Sequence, residues 1–353
     1  MCMDNHIQVK LISLEDIYKT KCFDLKQIIQ IIEDALLAYS NNEILLPDKI
    51  SQIFNEGLQT RINCMPSTLL KEGVCGVKWV SVFPNNPKLY NKQNVSGVIL
   101  LSEIKTGFPF AIVDGTLITA LRTACLGAIG VKYLARKDSS VYGTIGAGEQ
   151  AKTHFLVMKT LFPNIKMCYV SSRSNVSELG FVDAMKTKFD DVEFIMCNGD
   201  YDLAARNADI IVTAVSCQAP LLKADSIKPG TFYCHVGGWE DEYDVALKAD
   251  KIVCDDWSSL KHRGSPTIAR MYEKGLLKDT DIYANLSDII SGKKAGRETE
   301  SEFNYFNSIG LSFVDVAVAN YFYKSVTSKG LGTDWSLQES DAFDVLKDLD
   351  FNK

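Results

Sequence analysis

The stretch from Ser140 to Leu156 constrains the fold of this chain more than any other. Val141 to Ile145 is short, apolar and β-prone, and Gly146 bounds it where a tight turn is needed. A helical pattern begins just after Gly148. Strand, glycine turn and helix follow in that order, with Gly146, Gly148 and Ala151 in the positions of G-x-G-x-x-A. Gly146 would make the turn, Gly148 would let backbone approach a pyrophosphate, and Ala151 would let the helix pack close to the strand. The anion would sit over free N–H groups at the helix N-terminus, where the helix dipole favours it. A glycine turn without a ligand spells the same letters. The apolar run Met167-Cys168-Tyr169-Val170, at the distance a βαβ unit requires, favours the dinucleotide reading.

The 353 residues are enough for two domains, each with its own core. A net charge of -6 argues against a nucleic-acid partner or an anionic membrane surface. The ten cysteines show neither C-x-x-C nor a Cys/His ligand spacing, so a disulfide framework or a metal site is not expected. Small core thiols in a reducing cytoplasm fit better. No leader-like segment and no run of membrane-spanning length is expected.

Along the chain, Leu25 to Tyr39 has the spacing of an amphipathic helix, with Asp24 as its N-cap. Ile50 to Met65 suits a hairpin, and Gly73 to Phe83, Ser96 to Ser102 and Phe110 to Val113 suit further strands. Leu117 to Leu134 has a long helical pattern. From Val141 the rhythm becomes alternating strand and helix, with strands at Tyr142–Ile145, Met167–Ser171, Glu193–Met196, Ile210–Ala214, Thr231–Val236 and Lys251–Cys254. Short buried strands alternating with helices indicate a parallel, doubly wound Rossmann sheet. Ser312 to Ser328 is again helical, and the polar tail from Gly330 is expected to fold back on the first block. The fold class expected is therefore α/β: a Rossmann doubly wound sheet plus an α+β substrate and dimerisation domain formed from both chain ends. The boundaries expected are 1–128, 129–306 and 307–353.

Several residues are candidates for chemistry. Lys78 interrupts an apolar strand; it is either a solvent-face lysine or a cation aimed into a cleft for acid–base work or carboxylate binding. Arg122 lies in an almost uncharged helical stretch, and its planar fork suits a carboxylate, with a structural ion pair as the other reading. After the second strand, Ser172, Arg173 and Ser174 stand where an NAD site usually carries Asp or Glu. An arginine with hydroxyls matches a 2′-phosphate, which favours NADP over NAD. His235-Val236-Gly237-Gly238-Trp239-Glu240-Asp241-Glu242 follows a strand end, where open α/β sheets bind ligands. Its carboxylates would meet a substrate or form a solvated acidic turn.

Gly76-Val77-Lys78-Trp79-Val80, Ala120-Leu121-Arg122-Thr123-Ala124, Gly146-Ala147-Gly148-Glu149-Gln150-Ala151, Gly296-Arg297 and Asn307-Ser308-Ile309-Gly310 together resemble the ornithine cyclodeaminase/mu-crystallin family. The resemblance implies a homodimer, bound NAD(P), and a lysine and an arginine that hold an amino- or keto-acid carboxylate; by motif these fall on Lys78 and Arg122. It implies a substrate set of Lys49, Arg61, Lys78 and Arg122, and a cofactor set of Arg122, Thr123, Gly146, Ala147, Gly148, Glu149, Gln150, Ser172, Arg173, Ser174, Val215 and Gly237. Cyclodeaminases carry a catalytic aspartate directly after the Gly-Gly pair. Here Trp239 stands in that place and Glu240-Asp241 come one step later, so Lys78, Glu240 and Asp241 are the candidate catalytic groups. The shortened loop and Asp255-Asp256-Trp257-Ser258 look closer to the branch of N-(2-amino-2-carboxyethyl)-glutamate dehydrogenase. The implied activity is an NAD(P)-dependent oxidoreductase acting at the C–N bond of an amino acid or N-carboxyalkyl amino acid. Cyclodeamination of ornithine, or a mu-crystallin-like protein that binds NADPH and a small ligand, are the alternatives.

Overall fold

The computed structural model describes residues 6–347 and 349. It divides into two compact units. The first takes the chain through Phe23, Asn42–Ile118 and everything from Ser312 onward; the second takes Asp24–Asn41 and Thr119–Leu311. The helix Leu25–Ser40 thus groups with the second unit, although strands of the first flank it in sequence. Asp24 caps it by accepting from the Lys26 and Gln27 N–H groups.

The first unit is built on one eight-stranded sheet. Its spatial order is Thr333–Gln338, Ile7–Ile12, Pro109–Asp114, Val95–Glu103, Val74–Val82, Thr60–Leu69 and Ile44–Leu45, with Ile50–Asn55 also on Thr60–Leu69. The tail after Gly330 does fold back, as an antiparallel partner of Ile7–Ile12. The helix Ser312–Thr327 lies on one face. It comes so close that a Cβ on Gly76 would stand 2.7 Å from Cγ2 of Val316. Val74, Gly76, Lys78 and Val80 face this helix side and are buried. The opposite face is apolar yet open: Cys64, Trp79 and Val98 stand in one cross-strand row, and Pro66, Val77, Leu100 and Ile112 in the next. Trp79 is 43% and Val98 46% exposed, more than a row in a covered sheet would allow.

The second unit holds an eight-stranded, wholly parallel sheet. Its order is Glu193–Met196, Met167–Ser171, Val141–Ile145, Ile210–Thr213, Phe232–His235, Asn304–Asn307, Lys251–Cys254 and Ala284–Asn285. All six strands expected from the alternating pattern are present. Asn304–Asn307 was not expected: four residues with asparagine at both ends carry no strand pattern, yet it sits in the middle of the sheet and is fully enclosed. Trp239–Asp241, expected as loop, pairs with Gln218–Leu222 in a small two-stranded parallel sheet.

Two glycines let helices press onto this parallel sheet. In the helix Gly115–Leu134, a Cβ on Gly130 would lie 2.9 Å from Phe232. In the strand Val141–Ile145, one on Gly143 would lie 2.1 Å from the Ala204 carbonyl oxygen. The helix Glu149–Leu161 is held by Phe155, whose ring meets Tyr142, Phe181, Phe189 and Phe194 edge-on at 5.2–5.8 Å. Burying a ring of this size contributes about 1.5–3 kcal/mol, enough to hold the helix start over the strand end. The expectation that no run reaches membrane-spanning length is corrected: Gly115–Leu134 has that length and apolarity, but 72% of its apolar 18-residue stretch is buried inside the protein. Arg297, part of a motif noted above, donates to the carbonyls of Leu134, Thr299, Glu302, Gly230 and Thr231, so it ties chain segments together below the sheet.

Candidate functional site

Ser171, Ile145, Thr213, His235, Asn307 and Cys254 end neighbouring parallel strands in register, so the loops that follow them emerge along one edge. Gly146 begins the first of these loops. Its φ is +114°, and a Cβ there would stand 2.5 Å from the Ala214 carbonyl, so only glycine fits. Gly148 is different. It caps the helix Glu149–Leu161 without any side-chain hydrogen bond, and a Cβ on it would meet nothing within 4 Å. The N–H groups of this helix start, with open space over Gly148, form a cradle that fits a pyrophosphate. Ala147 and Ala151 are buried beside it. Glu149 is exposed and pairs with Lys152, while the Gln150 amide is turned inward to Ala120 O and His154.

The next loops are braced by buried carboxylates, a feature not expected from the sequence. Glu178, wholly buried, accepts from the N–H groups of Ser172, Asn198 and Gly199. Ser172 and Ser174 bond to each other, and Arg173 between them is exposed. Glu240 accepts from Val215 N at 2.7 Å, Gly237 N at 2.8 Å and Thr213 Oγ1 at 2.7 Å. Asp241 accepts from Thr267 Oγ1 and faces His235 Nδ1 at 3.0 Å. His235 also meets Tyr305 OH at 2.7 Å and Gly238 O at 2.6 Å, and its Nε2 lies 3.5 Å from Glu240. Glu240 and Asp241 therefore do not form a solvated turn; both are completely buried. The structure brings Val215, Gly237 and Glu240 together, and it turns Glu240 toward the loops that it ties.

Arg122 is 6% exposed, and its guanidinium lies flat on Gly310: a Cβ there would be 2.2 Å from Nη1. The Gly310 loop is held by Asp255, which accepts from Ile309 N, Gly310 N and Ser308 Oγ. Burial raises the Asp255 pKa, against the lowering effect of these backbone N–H groups. Thr123, next to Arg122, donates to Thr119 O. His154, fully buried beside Arg122, has its pKa pushed down to about 4, first by burial, and is a neutral imidazole at physiological pH.

The remaining candidates belong to the first unit. Lys78 faces the helix side, not solvent: it is fully buried and its Nζ lies 2.6 Å from Oδ2 of Asp315, which is equally buried. Arg61 lies in Thr60–Leu69, donates to Gln59 O and has its pKa lowered by burial. Lys49 is half-buried in the loop before Ile50. Among the described residues, no group of three His, Cys, Asp or Glu side chains is arranged to hold a metal ion.

A sequence model of the ornithine cyclodeaminase/mu-crystallin family matches residues 10–330. An alanine dehydrogenase from Archaeoglobus fulgidus is 33% identical over 86% of this chain and 91% of its own length. The N-((2S)-2-amino-2-carboxyethyl)-L-glutamate dehydrogenase of Staphylococcus aureus is 28% identical over 87% and 92%. Among solved structures, Thermococcus litoralis Delta(1)-pyrroline-2-carboxylate reductase in complex with NADH and L-proline superposes with a TM-score of 0.86 at 30% identity, covering 92% of this chain and 99% of that one.

The His235 cluster generates a pH prediction. Burial lowers the imidazole pKa, but Asp241 and Glu240 outweigh it and raise the group above its ordinary 6.5. The folded state then binds more protons than the unfolded one above about pH 6.5. Stability contributed by this proton is complete below that pH and falls as pH rises through the raised value, with a slope approaching about 1.4 kcal/mol per pH unit. Urea unfolding across this range should show the decline, and a stability that rises or stays flat would contradict a buried imidazolium.

Proposed function

This chain belongs to the ornithine cyclodeaminase/mu-crystallin family, and we propose that it is an NAD(P)-dependent oxidoreductase acting at the C–N bond of an amino acid or N-carboxyalkyl amino acid. The observation that carries the reading is the uncapped helix start with open space over Gly148, at the edge of a parallel sheet, in a chain 33% identical to an alanine dehydrogenase. The nicotinamide, when bound, would accept or supply hydride at the substrate Cα. Residues 129–306 serve the nucleotide in this reading, and residues 1–128 and 307–353 serve the substrate and the dimer.

Arg122 is held flat by Gly310 with its fork preorganised, and it anchors the substrate carboxylate. Lys49 and Arg61 add positive charge on the substrate unit. Lys78, paired with Asp315, carries the proton toward a developing amine or carbonyl oxygen. Glu240 has both oxygens engaged by two N–H groups and a hydroxyl, so it acts by positioning the Val215 and Gly237 loops, and Asp241 acts by holding His235 and Thr267. Trp239, in the place of the cyclodeaminase aspartate, has only an N–H donor and accepts no proton.

Net reduction of cofactor should therefore accompany turnover of at least one amino acid in a panel, and Gly148→Val should abolish dinucleotide binding with little change in Tm, because the Cβ space is open. Proline formed from ornithine without net cofactor reduction would overturn the dehydrogenase reading.

Arg173, exposed between two serines after the second strand, supports NADP over NAD. Arg173→Asp should weaken NADP by about tenfold, ~1.4 kcal/mol, and improve NAD. A tenfold preference of the unmutated protein for NAD would defeat this choice.

The open apolar rows around Trp79 and Val98 support pairing of two copies through the first unit, since a patch of this kind marks an interaction surface. Sedimentation should show a homodimer, and Val98→Asp should dissociate it into folded monomers. A monomeric unmutated protein at micromolar concentration would refute the pairing. Nine free cysteines among the described residues support a cytoplasmic location, which cell fractionation tests.

A further inference from the structure

Arg270 and Lys274 stand one helical turn apart, on and just past the helix Thr267–Glu273. Like charges at this spacing repel. Neither has an ion-pair partner among the described residues. Instead, both lie on aromatic faces. The Arg270 guanidinium is 4.4 Å from the Trp239 ring, and Lys274 Nζ is 5.1 Å from the Tyr243 ring. The two rings stack with centroids 6.2 Å apart and planes at 27°. Cation–π contact compensates part of the charge, but it satisfies no hydrogen bond.

Two N–H donors of this ladder are shielded from solvent without a hydrogen-bond partner among the described residues: Trp239 Nε1 and Arg270 Nε. Shielded donors are ordinarily paired, so these two are short of an acceptor. The atoms converge. The Lys274 ammonium and then the Arg270 guanidinium, against the effect of burial, hold the Tyr243 phenol below its ordinary 10.0, which puts its oxygen beside both cations. Trp239 Nε1, the Arg270 guanidinium and the Lys274 ammonium can only donate, the Tyr243 oxygen is a neutral acceptor beside the two cations, and an oxyanion is what would match their charge.

The position of the cluster narrows the occupant. Trp239 follows Gly237-Gly238 and the strand Phe232–His235. That strand lies beyond Ile210–Thr213, on the side of Val141–Ile145 away from Met167–Ser171 and Arg173. In a doubly wound sheet this is the nicotinamide half, not the adenine half. We infer that Trp239, Tyr243, Arg270 and Lys274 form an oxyanion site that does not include Arg122. Its occupant is either a carboxylate of the substrate remote from the reacting carbon or a free phosphate, which share this chemistry. The substrate source rests on the oxidoreductase reading above; the site itself does not.

The test has a binding arm that needs no turnover. Glutarate and inorganic phosphate are titrated separately into the full-length protein, followed by calorimetry and tryptophan fluorescence. At least one should bind, and Arg270→Gln should weaken it tenfold or more in a protein that still unfolds cooperatively, because the Arg270 side chain has no ion pair to lose. Lys274→Gln, at an exposed position, should weaken it several-fold and serves if Arg270→Gln misfolds. In the kinetic arm, a rise in KM for glutamate over alanine in Arg270→Gln, with kcat for alanine unchanged, supports the substrate carboxylate. Phosphate binding lost in the variant, with both KM values unchanged, supports the free anion. Failure of both ligands to bind the unmutated protein at millimolar concentration, or equal binding by both variants, overturns the site.

Discussion

Three carboxylates removed from water hold the loops along the C-terminal edge of the parallel sheet. Glu178 joins the loops after Met167–Ser171 and Glu193–Met196, Glu240 joins those after Ile210–Thr213 and Phe232–His235, and Asp255 fastens the one after Asn304–Asn307. Each accepts at least two backbone N–H groups. Hydrogen bonds to a charged acceptor contribute about 1.5–3 kcal/mol each, and burying a carboxylate without them would be prohibitive. The loops therefore cannot drift independently without stripping a buried anion of its partners. A ligand laid across this edge meets a surface already in place, so little binding energy goes into ordering it.

The first unit solves a related problem with one ion pair. Gly76 lets the helix Ser312–Thr327 approach the sheet closely enough for Asp315 to reach Lys78. Desolvating both charges offsets most of their attraction, so a pair like this adds little to stability compared with an apolar pair of the same volume. Removing one partner, in contrast, would strand the other charge at about 3–5 kcal/mol.

Trp239 connects these themes. Its backbone joins the small sheet with Gln218, directly beside the loop that Glu240 fixes, while its ring carries Arg270. An indole at this point offers no proton acceptor and presents a face to a cation.

The primary structure alone determined the elements whose signals are local. The strand–Gly146–Gly148–helix unit, the Asp24 cap and the alternation of the second unit follow from φ preferences and side-chain periods read over a few residues. The long helix around Arg122 was legible for the same reason. Tertiary structure alone decided that Asn304–Asn307 enters the centre of the sheet, since neighbouring strands bury it from both sides and its own four residues carry no period. It also decided which way Lys78 faces, because a strand with apolar residues on both faces does not say which face a helix more than two hundred residues later will cover. Glu240 and Asp241 read in one dimension either as groups that meet a substrate or as a solvated acidic turn; in three, Thr213, Val215 and Thr267, far away in sequence, join nearby Gly237 as their donors. A carboxylate's role depends on whether water or protein supplies its hydrogen bonds, and only the packing of distant segments settles that.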